Sequence, residues 1–211
     1  MSGYTILSLD ELEPVPHRDS NLLAVRDALG FRAAGINAWR ADAGGQLIPP
    51  HEEVSGNEEL YVVVRGRATF TVGEETADAT AGTLVFVPPR VMRTAHAEEA
   101  GTIVLAIGGT VGQPFVAHGW DTYAVADALR RSGRLEEGRA VLRRAMADST
   151  GFWALPYNAA CWEALAGNAD AAFAHLHSAL ELNERDVREY MEHDGDLDSL
   201  RGDPRWQELL E

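Results

Sequence analysis

The chain has no lysine: all 18 of its basic residues are arginine. Schiff-base catalysis, a pyridoxal-phosphate anchor and a P-loop lysine all need a primary amine and are excluded. Cysteine is almost missing as well. The single Cys161 allows no internal disulfide and fits a reducing, cytoplasmic location. No apolar run approaches the length of a membrane span. The first eleven residues lack the basic start and apolar stretch of a secretory signal. Positive charge is scarce: 33 acidic residues against 18 arginines leave a net charge of −15, which disfavours non-specific binding to nucleic acid or anionic membrane. The arginines at 130, 131, 134, 139, 143 and 144 are read as one solvated helical face. No Ser–His–Asp arrangement and no nucleotide-binding glycine loop can be made out.

Apolar residues make up 45% of the chain, enough for an ordinary core. They are arranged differently in the two halves. Up to residue 112 they form short runs broken by Gly and Pro: Ile36–Trp39, Leu60–Val64, Ala68–Val72, Leu84–Val87 and Ile103–Ile107. Strands at that spacing predict an all-β sandwich or barrel over 1–112. Gly108–Pro114 reads as linker material, and the boundary is placed at 113–119. From 120 to 211 the period is helical. Segments 123–132 and 135–147 turn at Gly133, and segments 154–166 and 170–182 turn at Gly167.

The two helix pairs align at a period of 34 residues, with Tyr123 on Tyr157, Ala126 on Ala160, Leu142 on Leu176 and Ala145 on Ala179. Small residues where helices touch, at this period, resemble the tetratricopeptide repeat. The tail, with Trp206 and Leu209, is expected to cap the stack with short helices.

Two blocks carry the chemistry. The first runs from Gly45 through His51, Glu53 and Glu59 to Gly66; the second runs from Gly82 through Pro88-Pro89-Arg90 to Arg93. They resemble the two motifs of the cupin superfamily. The first family motif has Gly, five residues, His-x-His, three or four residues, Glu, six residues, Gly. The second has Gly, five residues, Pro-x-Gly, two residues, His. This chain keeps the first His as His51, has Glu53 in place of the second, carries Glu59 one residue late, and has Arg93 where the second block ends in His. The resemblance implies a double-stranded β-helix, or jelly roll, for the first half. The whole chain is then α+β in two parts, the second an all-α set of tetratricopeptide-like helix pairs.

In that family the motif positions face a pocket. Strand alternation puts Glu59 and Tyr61 on one face, Arg93 with Ala95 on one face and His96 on the other, and Asn37 with Trp39 on an earlier strand. Arg93, Tyr61, Asn37, Trp39, Glu53 and Glu59 are therefore the candidate ligand-binding residues. His51, Glu53 and Glu59 would be the ligands of a metal such as Mn, Fe or Zn. His96 would join them only if a β-bulge turned it inward. Against a metal stands Arg93, a fixed cation whose planar fork can instead hold Glu59 or Glu53 bidentately.

Two readings stand side by side. One is a small-molecule binding or regulatory protein with no cofactor, its pocket taking a ligand of acidic type near Arg93. Its helical repeats would meet a protein partner, and the molecule would be a homodimer. The other is a metal-dependent enzyme of oxygenase or isomerase type using His51, Glu53 and Glu59. A metal-free enzyme, with Glu53 or Glu59 as general base and Arg93 orienting a carboxylate, is a third reading that sequence does not separate from the first, and fold alone does not choose among them.

Overall fold

A computed structural model describes residues 4–17, 20–54, 56–116, 119–148 and 151–210. The chain divides into two units, Met1–Ala117 and His118–Glu211, each described by itself.

In the first unit, two antiparallel sheets are built from β1 (Val15–His17), β2 (Ser20–Leu23), β3 (Gly35–Ala41), β4 (Gln46–His51), β5 (Asn57–Arg65), β6 (Arg67–Val72), β7 (Glu75–Thr80), β8 (Leu84–Val87), β9 (Arg93–Ala97) and β10 (Thr102–Thr110). Six strands run in the order β1-β2-β3-β10-β5-β8, and four in the order β4-β9-β6-β7. This is the antiparallel arrangement expected of a jelly roll. All five apolar runs named from the sequence fall in strands. A short helix, α1 (Val25–Leu29), lies between β2 and β3 and had no sequence signal strong enough to name.

Alternation sorts the side chains. Tyr61 and Val63 of β5, Ala68 and Phe70 of β6, and Ala95 and Ala97 of β9 are all buried. The Tyr61 and Phe70 rings, one from each sheet, stand 5.7 Å apart. Burying side chains of this size stabilises the fold by about 1.5–3 kcal/mol each. On the other face of β3 and β10, Leu23, Val25, Ala38 and Ile103 form a second cluster, closed over by Leu9 and Leu12. The turn from β5 to β6 depends on Gly66. Its φ is +73°, and a Cβ there would collide with Thr102 Oγ1.

The second unit holds α2 (Trp120–Arg131), α3 (Leu135–Asp148), α4 (Ala154–Leu165), α5 (Ala169–His193), a 3-10 segment Gly195–Leu200 and α6 (Pro204–Leu210). The positions that align at 34 residues are core positions: Ala126, Ala160, Leu142, Leu176, Ala145 and Ala179 are all buried in one cluster. Helix α5 runs past Leu182 with one non-helical residue, Asn183, whose side-chain oxygen accepts a hydrogen bond from Asp186 N at 3.2 Å. Leu197, Leu200, Trp206 and Leu209 of the tail join the same core. The arginine face is largely neutralised by carboxylates on its own helices: Arg130 meets Asp127 at 2.8 Å, Arg134 meets Glu137 at 2.8 Å, and Arg139 meets Glu136 at 2.9 Å.

Candidate functional site

Pairing across the large sheet lays the candidate residues out in rows. Asn37, Ala106 and Tyr61 share one row, and Trp39, Val104 and Val63 the next. Gly108 pairs with Glu59 on one side and Gly35 on the other. Glu59 and Tyr61 are two apart on β5 and so share a face. From the small sheet, His51 on β4 pairs directly with Arg93 on β9. Glu53 follows β4 in irregular chain and is held by two bonds: Asn57 Nδ2 donates to Glu53 Oε2 at 3.2 Å, and Arg90 N donates to the Glu53 carbonyl at 3.1 Å. That turns Glu53 inward, while its neighbour Glu52 is exposed.

His51, Glu53 and Glu59 come together, each offering one atom within 4.8 Å of the others. One oxygen, Glu59 Oε2, is the hub. Tyr61 donates its hydroxyl to it at 2.5 Å, Arg93 Nε lies 3.2 Å away and His51 Nε2 3.4 Å away. His51 Nε2 also stands 4.0 Å from Glu53 Oε1.

Arg93 has none of its side chain exposed. Its Nη1 and Nη2 reach the carbonyls of His51 and Pro88 only at 3.5 Å. Its Nε makes no well-directed hydrogen bond although it is close to Glu59. The contact is therefore an ion pair by charge and proximity, and the expected bidentate fork does not form. Burial also changes what a ligand would meet. His51 is 34% exposed, Glu53 26% and Glu59 16%. An acidic ligand entering here would face carboxylates before it reached the guanidinium.

The imidazole orientation is informative. His51 Nδ1 lies 2.7 Å from the Pro49 carbonyl, which can only accept, so that network assigns the proton to Nδ1. Nε2 is left pointing at two carboxylates, where a bare lone pair would be repelled. A proton on Nε2, or a cation beside it, removes the conflict. Accordingly the His51 pKa is raised, chiefly by Glu59 and, against the opposing effect of burial, by the Pro49 carbonyl. Burial would raise the Glu59 carboxyl, but hydrogen bonds from His51 and Tyr61 and the Arg93 charge outweigh it and hold it below its ordinary value. Tyr61 is pushed far up by burial beside Glu59 and stays a donor.

By reach, the three donors could surround a metal ion. By charge the residues do not fit one: the hub oxygen already meets a hydroxyl, an imidazole and a guanidinium that does not deprotonate. His96 does not complete the set. The irregularities in pairing fall on β4, while β9 pairs with β6 without a break, so His96 sits opposite Thr69 on the face away from Arg93 and Ala95. Asn37 and Trp39 are buried on the Tyr61 and Val63 rows. The Trp39 ring packs 5.3 Å from His17, and Arg26 N donates to Asn37 Oδ1 at 3.5 Å.

Three contributors escaped the sequence reading. Gly108 reads as linker in the sequence but belongs to β10, where a Cβ would stand 3.4 Å from Glu59 Cγ; its glycine run hides a packing position. Phe115, inside the expected linker, lies over Gly35 in the same way, 3.3 Å from where a Cβ would be. Residues 117 and 118 of that linker lie outside the described residues. Asn57, tied to Glu53 and to Thr110 Oγ1 at 2.6 Å, carried no motif signal at all.

Residues 39–108 match the family model for the cupin domain. An uncharacterized protein of Streptomyces coelicolor is 37% identical over 89 residues, which is 42% of this chain and 79% of that protein. Among solved structures, a cupin protein from Bacteroides fragilis is similar at 21% identity, covering 56% of this chain and 92% of that one, with a TM-score of 0.42. A predicted oxalate decarboxylase from Thermotoga maritima is similar at 14% identity over 51% of this chain and all of its own, with a TM-score of 0.44.

Proposed function

Because this chain carries a cupin domain over residues 39–108 and belongs to one family with the uncharacterized Streptomyces coelicolor protein, we propose that its first unit is a small-molecule binding module that works without a resident metal. The observation that carries this reading is the position of Arg93: fully buried, at the place where the second motif has a ligand His, and 3.2 Å from Glu59 Oε2. A divalent ion there would share its carboxylate with a permanent cation. The groups with exposed surface, His51, Glu53 and Glu59, are rich in hydrogen-bond acceptors. They suit a neutral, hydroxyl-bearing ligand that donates to the carboxylates. The second unit is read as tetratricopeptide-like helix pairs that offer a surface to a protein partner, and the assembly as a homodimer.

A second reading rests on one specific observation. His51, with Nδ1 held by Pro49 and Nε2 aimed at Glu53 and Glu59, is oriented as a metal-ligating imidazole would be. In that reading the protein is a metal-dependent enzyme. Metal analysis of protein purified without chelator separates the two. The wild type is expected to hold far less than one Mn, Fe or Zn per chain. Arg93→His, which removes the cation and supplies a fourth donor, is expected to gain metal. One tightly held ion per wild-type chain, lost in His51→Ala, would overturn the metal-free reading.

A further inference from the structure

The outer face of the six-stranded sheet is apolar across four neighbouring strands. Pairing lines up Phe86, Leu60, Ile107 and Ile36 in one row over β8, β5, β10 and β3. Leu84, Val62, Leu105 and Ala38 form the next row, two residues along each strand. Alternation puts both rows on the side of the sheet away from Glu59 and Tyr61. Cover on this face is uneven. Over β3 and β10 it is closed by Leu9 and Leu12, and Ala38 is fully buried. Toward β8 it opens: Leu60, Val62 and Ile107 are half-buried, while Phe86 is 58% and Leu84 62% exposed. Val64, further along β5, is exposed as well. A sheet face turned to water carries polar residues, and β8 places Leu and Phe there instead.

Neither row holds a charged residue, on a chain whose net charge is −15. Charge gathers instead at the two ends of the patch. At one end Arg40 and Arg65 share a single carboxylate, Asp10, at 3.0 and 2.8 Å, so these three groups leave a positive charge. At the other end Glu58, opposite Gly109, shares the face of Leu60. The three most open side chains expose on the order of 300 Å², and with their half-buried neighbours the patch reaches roughly 450 Å². Patches of that size on a lone chain mark interaction surfaces.

We propose that this face seats a second copy of the chain, the β5–β8 side of one protomer packed on the same side of its partner about a two-fold axis. It rests on the homodimer reading and gives that dimer its contact surface. Two copies bury on the order of 900 Å² between them, at the lower end of specific interfaces, so the dimer dissociates in the micromolar range. A two-fold axis lying across the strands runs each β5 antiparallel to its copy. Glu58 of one protomer then stands at the end where the other carries Arg40 and Arg65. An acidic chain meets itself with least repulsion over an uncharged surface whose ends are opposite in sign. Edge-to-edge pairing through β8 suits the chain less well. That strand has four residues and runs into Pro88-Pro89, which donate nothing to a ladder.

The test is sedimentation velocity of the full chain from about 1 to 500 μM, a range that spans the expected Kd. The wild type should pass from monomer to dimer within it. Phe86→Glu puts an unpaired carboxylate into the contact and should weaken association at least about hundredfold. Leu165→Glu, at a residue of the second unit that is also 58% exposed, should leave association unchanged. Methyl NMR of Leu84 and Val64 with a soluble nitroxide needs no variant: both should be broadened in dilute wild type and protected in concentrated wild type. A wild type that stays monomeric throughout overturns the homodimer reading and this assignment together. A dimer that survives Phe86→Glu, or that leaves those methyls open to the nitroxide, overturns the assignment alone. Methyls already protected in the monomer show the face covered by the chain's own residues, and overturn it too.

Discussion

Replacing Arg93 by methionine isolates the ion pair at the centre of the first unit. Methionine keeps an unbranched stem of similar reach, so the change removes charge more than volume. Arg93 has no exposed side-chain surface and Glu59 keeps only 16%. Breaking a buried pair by deleting one partner costs about 3–5 kcal/mol where the remaining charge is left alone. Glu59 is not left alone here, because Tyr61 still donates to its Oε2 and His51 stands 3.4 Å away. The two Arg93 bonds to carbonyls, at 3.5 Å, are too long to add much. The expected cost is therefore about 2–3 kcal/mol, below the full penalty. A double-mutant cycle with Glu59→Gln should return a coupling of about 1–2 kcal/mol, since each single change strands what the other would neutralise. The assay is urea unfolding of fluorotryptophan-labelled protein by fluorine NMR. Trp39 is the one tryptophan among the first 117 residues, so its signal reports that unit alone. A coupling below about 0.5 kcal/mol would refute the reasoning, because Arg93 and Glu59 would then be neighbours without mutual dependence.

Two further predictions concern the same unit. The His51 pKa is raised above its ordinary 6.5 by Glu59, so the contact adds stability fully present below pH 6.5 and lost as pH climbs through the raised value. The Glu59 pKa is lowered from 4.5, so its share is present above pH 4.5 and lost as pH falls through the lowered value. The Trp39 unfolding midpoint should thus be highest between these limits, and His51→Gln should flatten the alkaline side; an unchanged alkaline slope in that variant would show that another group is responsible. The second concerns Arg90, which holds φ +62° at the place where the family motif has glycine. An L side chain there costs about 1–2 kcal/mol, and glycine gives back part of that through the freedom of its unfolded chain. Arg90→Gly should therefore stabilise the unit by roughly 0.5–1 kcal/mol in urea unfolding, with a loss of stability counting against strain at this turn.

Legibility followed the physics of each segment. Apolar alternation marked β3, β5, β6, β8 and β10 directly. It could not mark β4, which carries two prolines, or β7, Glu75–Thr80, which has no bulky apolar residue, because both are fixed by their partner strands. In the site, spacing brought out His51, Glu53 and Glu59, and parity placed Tyr61 beside Glu59. The exposure of Arg93 could not be read the same way. Parity says which face a side chain takes, but whether that face ends in solvent or under another strand depends on how the two sheets close. Gly108 misled for a related reason: glycine marks both a flexible chain and a place where a neighbour must come close, and only the paired Glu59 shows which applies.

The two departures from the family motif are best understood together. A site of three imidazoles and one carboxylate compensates half of a divalent ion's charge, whereas this chain has two carboxylates, Glu53 and Glu59, in one small space. Left without positive charge, two carboxylates this close would repel one another. Arg93 supplies one permanent positive charge, 3.2 Å from Glu59. His51 supplies a second whenever it is protonated, which its contact with Glu59 favours. On the proposed metal-free reading, two monocations stand where the family would place one dication, and the chain's own groups balance the two carboxylates. The two positions contribute differently to that balance. Glu53 with a histidine at position 93 would leave two carboxylates with no fixed cation, and Arg93 with a histidine at position 53 would leave Glu59 as the one carboxylate facing the guanidinium. Of the two changes, Arg93 carries the proposed metal-independent reading, because its charge is the one that cannot be titrated away.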